Sequence, residues 1–132
     1  MQFSDEEIKL ARELREAGLA WEPHSGHYVH DETGFCKQTS PFQEKVYFIL
    51  NYDYFMKSVG GVVRFKQIML WLPTWDDARR QLKLLGVPDA SVVDRLEHTR
   101  AIEQGNERFI LYQLIKSALA EQTAQVGSVH WS

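Results

Sequence analysis

Three histidines and the only cysteine fall within one short segment, 24–36. They are His24, His27, His30 and Cys36. Imidazole nitrogens and thiolates are common zinc ligands, so these four residues form a candidate metal site. The spacing weakens the hypothesis, because Pro23, Ser25 and Gly26 oppose a helix. On a strand, His27 and His30 would point to opposite sides. Neither Cys-x-x-Cys nor His-Glu-x-x-His is present.

Two enzymatic interpretations depend on this segment. One is a small metal-dependent hydrolase centred on a hairpin from His24 to Cys36, and the other uses Cys36 as a nucleophile beside a histidine. A lone cysteine is more often inert and partly buried. The glycines offer no phosphate-binding loop, since Gly60-Gly61 lacks the spacing and the lysine of that motif. We therefore predict no cofactor and favour a protein that is not an enzyme, with the enzymatic alternative left open.

Aromatic side chains support a different prediction, that of a binding or accessory domain. Aromatic residues are enriched at contact surfaces, and they make up 12% of this chain. The candidates for such a surface are Trp21, Tyr28, Tyr54 and Trp75. Each ring taken singly is also explained by a place in the core. A protein or peptide is the expected partner.

The charge of the chain argues against nucleic acid and lipid as partners. There are 15 basic and 18 acidic residues, which leaves a net charge of −3, and no run of basic residues marks a patch. No apolar stretch is long enough to span a membrane. The acidic start differs from a secretion signal, and a single cysteine fits a reducing compartment, so we expect a cytoplasmic protein.

The clearest structural pattern in the sequence is the segment 70–86. An apolar strand, Leu70–Leu72, ends at Pro73, and Thr74 with Asp77 resembles a helix-capping box. An apolar face then recurs at helical spacing and comprises Trp75, Ala78, Leu82 and Leu85. Gly86 stops the helix. Adjacent aspartates on a helix point about 100° apart, so capping explains them better than a shared metal ion.

The remaining elements follow from similar patterns. In chain order we predict a helix over 5–17, strands at 27–30 and 35–37 joined by a turn, a strand covered on both sides at 46–50, a helix over 52–59, a strand at 62–67 with a helical turn as the alternative, a short helix from Pro88 and a long helix over 107–121. The fold class is α+β, with a small, mainly antiparallel sheet packed against several helices.

We expect one domain over 1–121 and a loose tail over 122–132, which has little periodicity. The apolar arc of the last helix is broad for a terminal element, so self-association through this helix is a further possibility.

The sequence resembles small bacterial proteins that have no assigned activity. The shared features are a first helix, a Trp-Glu-Pro segment, an apolar strand and a Trp-Leu-Pro-Thr-Trp segment leading into a helix that ends in Leu-Gly. The matching residues, which span about 8–86, are Trp21, Pro23, Trp71, Leu72, Pro73, Thr74, Leu82, Leu85 and Gly86. The resemblance implies a fold and no catalytic residues.

Overall fold

A computed structural model describes the backbone of residues 2–131 and the side chains of residues 2–124. The elements are α1 (Asp5–Glu16), β1 (Tyr28–Asp31), β2 (Val46–Phe48), α2 (Tyr52–Val59), α3 (Val62–Ile68), β3 (Met69–Leu72), α4 (Trp75–Leu84), α5 (Asp89–His98), α6 (Ala101–Gln104) and α7 (Glu107–Trp131). The predicted α+β class is confirmed.

The sheet is antiparallel and has the strand order β2-β1-β3. Because side chains alternate along each strand, the two faces of the sheet contact two separate hydrophobic cores. Leu70 and Leu72 of β3 pack with α1, α4, α5 and α7. Met69 of the same strand packs with Val29 and with α2 and α3. Helices on both sides explain why β3 is apolar at every position.

The two predicted capping boxes are present. Ser4 and Glu7 bond reciprocally at the start of α1, and Thr74 and Asp77 do so at the start of α4. Gly86, at φ +79°, ends α4 as predicted, because a residue without a Cβ adopts this conformation at little cost. The first turns of these helices are therefore fixed by local sequence.

The predicted hairpin is wrong in its second strand. The strand β1 pairs with Val46–Phe48 and not with residues 35–37. The carboxylate of Asp31 accepts hydrogen bonds from the backbone amides of Phe35 and Cys36 at 3.1 and 2.7 Å. These amides are used within a turn and are not free to join a sheet ladder.

The segment from Val62 is the helix α3, so the favoured strand prediction is wrong and the helical alternative is correct. On a strand, Val63 and Phe65 would share one face. In the structure Phe65 is buried in the core with α2, and Val63 is exposed. The short helix α6 was not predicted from the sequence.

The helix α7 continues past its predicted end to Trp131. Its apolar face packs against α1 and α4 of the same chain. The predicted tail over 122–132 falls mostly outside the residues with described side chains, so its looseness stays a prediction, as does self-association. Among the described residues, no helix has the length and apolar character needed to cross a bilayer.

Candidate functional site

A cavity of about 180 Å³ lies between α4 and the segment 21–27. We call it the tryptophan–histidine pocket. Its lining residues are Trp21, Glu22, His24, His27, Trp71, Asp77, Arg80, Gln81 and Leu84. The four from α4 are spaced i, i+3, i+4 and i+7, which places them on one helix face. This face begins close to the end of β3, because only Pro73 and Thr74 separate the two elements.

Two stacked indole rings form one wall of the pocket. Trp21 and Trp71 lie 5.3 Å apart between ring centroids, with their planes only 5° from parallel. The imidazole of His27 contacts the same group, 5.2 Å from Trp71 and 5.9 Å from Trp21. The first helix ends at Glu16, and Gly18 follows it at φ +89°. The chain then runs to Trp21, whose ring reaches Trp71 on the edge strand β3.

The wall contains two buried ring nitrogens without hydrogen-bond partners among the described residues. They are Nδ1 of His27 and Nε1 of Trp71. His27 is only 5% exposed, and Trp71 only 6%. A buried polar group without a partner costs about 1–3 kcal/mol, so most such groups in proteins are paired. Buried polar atoms without a partner also occur in His30, Arg79 and Asn106, so they are not confined to this cavity.

Asp77 connects this wall to α4. One carboxylate oxygen accepts a hydrogen bond from the backbone amide of Thr74 at 3.0 Å, as part of the capping box. The other lies 4.0 Å from Nε2 of His27. Burial lowers the pKa of His27, and the Asp77 carboxylate opposes this shift without cancelling it. His27 is therefore neutral at pH 7.

Charge and apolar surface meet at the rim. Arg80 is exposed and forms no salt bridge with a described residue, whereas its neighbour Arg79 pairs with Asp89 at 2.9 Å. Leu84 follows one turn further along α4 and is 79% exposed. His24 also lines the cavity, and its ring lies 3.8 Å from that of His27. An incoming molecule would meet a cation, an imidazole and an exposed leucine.

The four predicted metal ligands do not converge. His24 and His27 lie together, but His30 is on the other face of the sheet, near Arg12 and Glu32. Cys36 is held in the turn that follows Asp31. Among the described residues, no group of three histidine, cysteine or acidic side chains is placed to hold one ion. The geometry does not favour the alternative of a metal-dependent hydrolase. The segment forms a turn, and its histidines do not face Cys36 across a hairpin.

The environment of Cys36 opposes a nucleophilic role. Burial, together with the neighbouring Asp31 carboxylate, raises the pKa of its thiol to about 11. We expect Cys36 to react with iodoacetamide at neutral pH about a hundredfold more slowly than a model cysteine peptide, because the thiolate is the reactive form. Mass spectrometry of the alkylated protein measures this rate. Unfolding in guanidinium chloride should restore ordinary reactivity, and fast alkylation of the folded protein would contradict the prediction.

The four aromatic residues predicted as a binding surface lie in different places. Trp21 lines the tryptophan–histidine pocket, and Tyr28 packs on the opposite sheet face in a cluster with Phe3, Phe42 and Phe48. Tyr54 is 72% exposed on α2. Trp75 had also been predicted on the core face of α4, and this is wrong: its ring is 38% exposed and lines a separate cavity of about 590 Å³. Only Trp21 contributes to the pocket.

Sequence reasoning missed most of the pocket. Trp71, Asp77, Arg80, Gln81 and Leu84 were not among the predicted binding residues, although His27 had been singled out for metal. The sequence shows their helical spacing after a tryptophan-containing strand, but a solvent-exposed arginine and leucine are common on helices and do not indicate a site. The feature that distinguishes them is the stacking of Trp21 on Trp71 beside this helix face, which no sequence pattern contains.

The buried His27 and the partly buried His30 should make the stability of the protein fall in mild acid. Burial is the main cause that lowers the pKa of His27 and of His30. A histidine in the unfolded chain, with a pKa of about 6.5, therefore takes up a proton at a higher pH than in the folded protein. The contribution of these histidines to stability is fully present above that pH and is lost as pH drops. We expect a slope of up to about 1.4 kcal/mol per pH unit for each histidine.

Urea unfolding between pH 7 and pH 5.5 measures this slope. His27→Gln should reduce it, and His27→Gln with His30→Gln should reduce it further. Hydrogen bonds from Arg108 and Ser4 outweigh burial and lower the pKa of Glu7. Paired carboxylates of this kind change the stability only at more acid pH. A slope that is unchanged in both variants would show that these histidines are not responsible.

Comparison with known proteins adds no identification: no family model matches the chain, and no match was found among curated proteins or solved structures. The resemblance to small bacterial proteins stays a prediction.

Proposed function

We propose that this chain is a non-enzymatic binding domain of a bacterial cytoplasmic protein, and that the tryptophan–histidine pocket is its recognition site. The expected partner is a protein or peptide. One observation carries the proposal: an open cavity combines a wall of two stacked indole rings with a rim that carries Arg80 and the exposed Leu84.

The shape and composition of the rim also support a binding role. Aromatic and arginine side chains are the residue types that dominate binding energy at protein interfaces. Trp21 and Arg80 provide both, and Leu84 extends the apolar surface beyond the cavity. One side of the pocket is formed by β3 and by α4, whose first turn is fixed by a capping box, and the other side by the irregular segment 21–27. The helix side is therefore preformed, which limits the reordering that binding costs.

Catalysis has less support from the same residues. His27 and Asp77 form a pair 4.0 Å apart, but the pocket lining contains no serine, threonine, cysteine or lysine that could act as a nucleophile. Because the Asp77 carboxylate is engaged in the capping box of α4, this imidazole and carboxylate are better explained by recognition and by helix capping.

The proposal is tested by changing exposed residues that the fold does not need. The full chain, carrying an affinity tag, captures partners from a bacterial lysate, and each partner is then purified and titrated by calorimetry. We expect Leu84→Glu to weaken binding at least about tenfold, because it places a charge on the apolar rim. Leu50→Glu is the matched control, since Leu50 is an equally exposed leucine, 82% against 79%, outside the pocket.

The comparison of the two variants decides the question. Circular dichroism should show that both variants keep the wild-type fold. A partner whose affinity falls in Leu84→Glu and stays within about twofold in Leu50→Glu supports the proposal. A partner that binds all three proteins equally contradicts it, as does the recovery of no protein whose affinity depends on Leu84.

A further inference from the structure

The segment 21–27 forms one side of the tryptophan–histidine pocket and contains neither a helix nor a strand. Two backbone hydrogen bonds join it to the chain after β2. The amide of Gly26 donates to the carbonyl of Ile49 at 2.8 Å, and the amide of Ile49 donates to the carbonyl of His27 at 2.9 Å. The indole of Trp21 adds a stacking contact with the indole of β3. This side of the pocket therefore exists only while the segment stays docked on the sheet.

His27 is the titratable group at the centre of this docked contact. Its buried ring lies 5.2 Å from Trp71 and 5.9 Å from Trp21. Nδ1 is buried and has no hydrogen-bond partner among the described residues. A charged imidazole carries a proton on both ring nitrogens, so in the docked segment one N–H would have no acceptor. A buried charge without hydrogen bonds is unfavourable, and the docked state therefore disfavours the charged form of His27.

The charged and titratable groups that face His27 come from α4 and from the segment itself, because β3 contributes only apolar residues here. Arg80 of α4 and His24 of the segment both disfavour a proton on His27, and the His24 ring lies only 3.8 Å from it. Asp77 of α4 favours the proton, but one of its oxygens lies 4.0 Å from Nε2 and the other caps the helix. Glu22 lines the same cavity and pairs with a lysine of α3 at 3.5 Å. Burial, together with His24 and Arg80, outweighs Asp77 and lowers the pKa of His27.

A proton therefore binds His27 more tightly once the segment has left the sheet. In the released segment the imidazole is in water, where its pKa has the ordinary value of about 6.5. Above this pH both states are neutral, and the pH does not affect docking. Below it the released state takes up the proton first, so the docked state is lost as the pH falls. Each pH unit multiplies the ratio of released to docked segment by up to about ten, until His27 of the docked state is also protonated.

We propose that the segment 21–27 is a pH-sensitive flap, which is released from the sheet and from α4 when His27 takes up a proton. This inference rests on the proposed function for its role, and it adds regulation by pH to the same site. Release separates Trp21 from Trp71 and removes one side of the pocket. The helix side stays in place, because the first turn of α4 is fixed by its own capping box. Local openings cost less free energy than global unfolding, so acid opens the pocket while the rest of the domain stays folded.

Hydrogen exchange of the full chain labelled with ¹⁵N measures this release. The amides of Gly26 and Ile49 join the segment to the sheet and report on its opening. After correction for the intrinsic effect of pH on exchange, we expect their protection to fall at least about fivefold between pH 7 and pH 5.5. The amide of Ile115, which is buried in α7, should exchange only on global unfolding. At pH 5.5 we expect the Gly26 and Ile49 amides to be at least about tenfold less protected than the Ile115 amide.

Two histidine variants assign the effect to one side chain. His27→Phe keeps a ring against Trp71 but takes up no proton, so the protection of Gly26 and Ile49 should change less than about twofold with pH. His27→Gln gives the same expectation if the phenyl ring disturbs the packing. His30→Gln is the matched control, since His30 is a partly buried histidine outside the pocket, and it should leave the pH dependence at both amides in place.

The outcomes distinguish the pH-sensitive flap from the proposed function. Protection of Gly26 and Ile49 that is the same at pH 7 and pH 5.5, or that falls equally in the His27 variants, overturns the flap. Protection equal to that of Ile115 at pH 5.5 also overturns it, because release would then be global unfolding. None of these measurements needs a partner. A partner whose affinity depends on Leu84 therefore leaves the binding domain standing even if the segment does not respond to pH.

Discussion

Replacing Arg108 with alanine is expected to destabilise the protein by about 3 kcal/mol, because it leaves a buried carboxylate without its partner. Arg108 lies at the start of α7 and donates hydrogen bonds to both carboxylate oxygens of Glu7, one of them at 3.0 Å. It also donates to the backbone carbonyl of Gln2 and lies over the ring of Phe3 at 4.1 Å. One side chain thus joins the N-terminal segment, α1 and α7.

The size of the effect follows from what remains after the substitution. Glu7 is only 8% exposed and still accepts the backbone amide of Ser4 in the capping box, so its carboxylate cannot move out to water without opening the first turn of α1. Breaking one side of such a pair costs about 3–5 kcal/mol, and the partial exposure of Arg108 places it at the lower end.

Urea unfolding of Arg108→Ala and of a control measures this difference. Arg100→Ala removes an arginine from an exposed pair with Glu103, and it should change the free energy of unfolding by less than about 1 kcal/mol. Glu7→Gln in the Arg108→Ala background should add little further loss, because the two groups act as a pair. Equal, small effects of the two arginine substitutions would contradict the assignment.

Replacing Asp31 with alanine is expected to cost about 2–4 kcal/mol and to loosen the turn that follows β1. Asp31 is only 1% exposed. Its carboxylate accepts hydrogen bonds from the amides of Phe35 and Cys36 and from the hydroxyl of Thr33, the last at 3.2 Å. Bonds to a charged acceptor contribute about 1.5–3 kcal/mol each, and exposure of the turn reduces their sum.

Hydrogen exchange reports on the turn itself. The amides of Phe35 and Cys36 should exchange faster in Asp31→Ala, and those of β3 should change only with global stability. Asp31→Asn keeps one acceptor oxygen and should lose roughly half as much stability. Asp94→Ala, at an exposed carboxylate on α5, is the control and should stay within about 0.5 kcal/mol. Unchanged exchange at residues 35 and 36 would show that Asp31 does not hold the turn.

Asp31 also shows why local patterns misled the sequence analysis. The residues 27–37 contain a turn signal between two short runs, which is typical of a hairpin. The turn is present, with Gly34 at φ +72°, but the return strand comes from Val46–Phe48. The Asp31 carboxylate accepts hydrogen bonds from the amides that a returning strand would need to pair with β1. That competition depends on a side chain becoming buried, which no pattern of residue types reveals.

The pocket illustrates the same limit for function. The clustering of three histidines and Cys36 suggested a metal site, although their spacing argued against it. The structure separates His30 and Cys36 from His24 and His27, and it brings His27 to Trp71 and Asp77 instead. Trp75 was expected inside and is partly exposed. It is the first residue of α4, where side chains are less constrained by the helical stripe than in later turns.

By itself the sequence determined the elements with strong local signals: the capped helices α1 and α4, the apolar strand β3, the glycine stop at Gly86 and the α+β class. Capping and periodicity act over a few residues, so they can be recognised without knowing what lies nearby. Tertiary structure alone decided the pairing of β1 with β2, the burial of Asp31 and the meeting of Trp21, His27, Trp71 and Asp77. Those contacts join residues far apart in the chain, and their free energy comes from burial and charge pairing that exist only after folding.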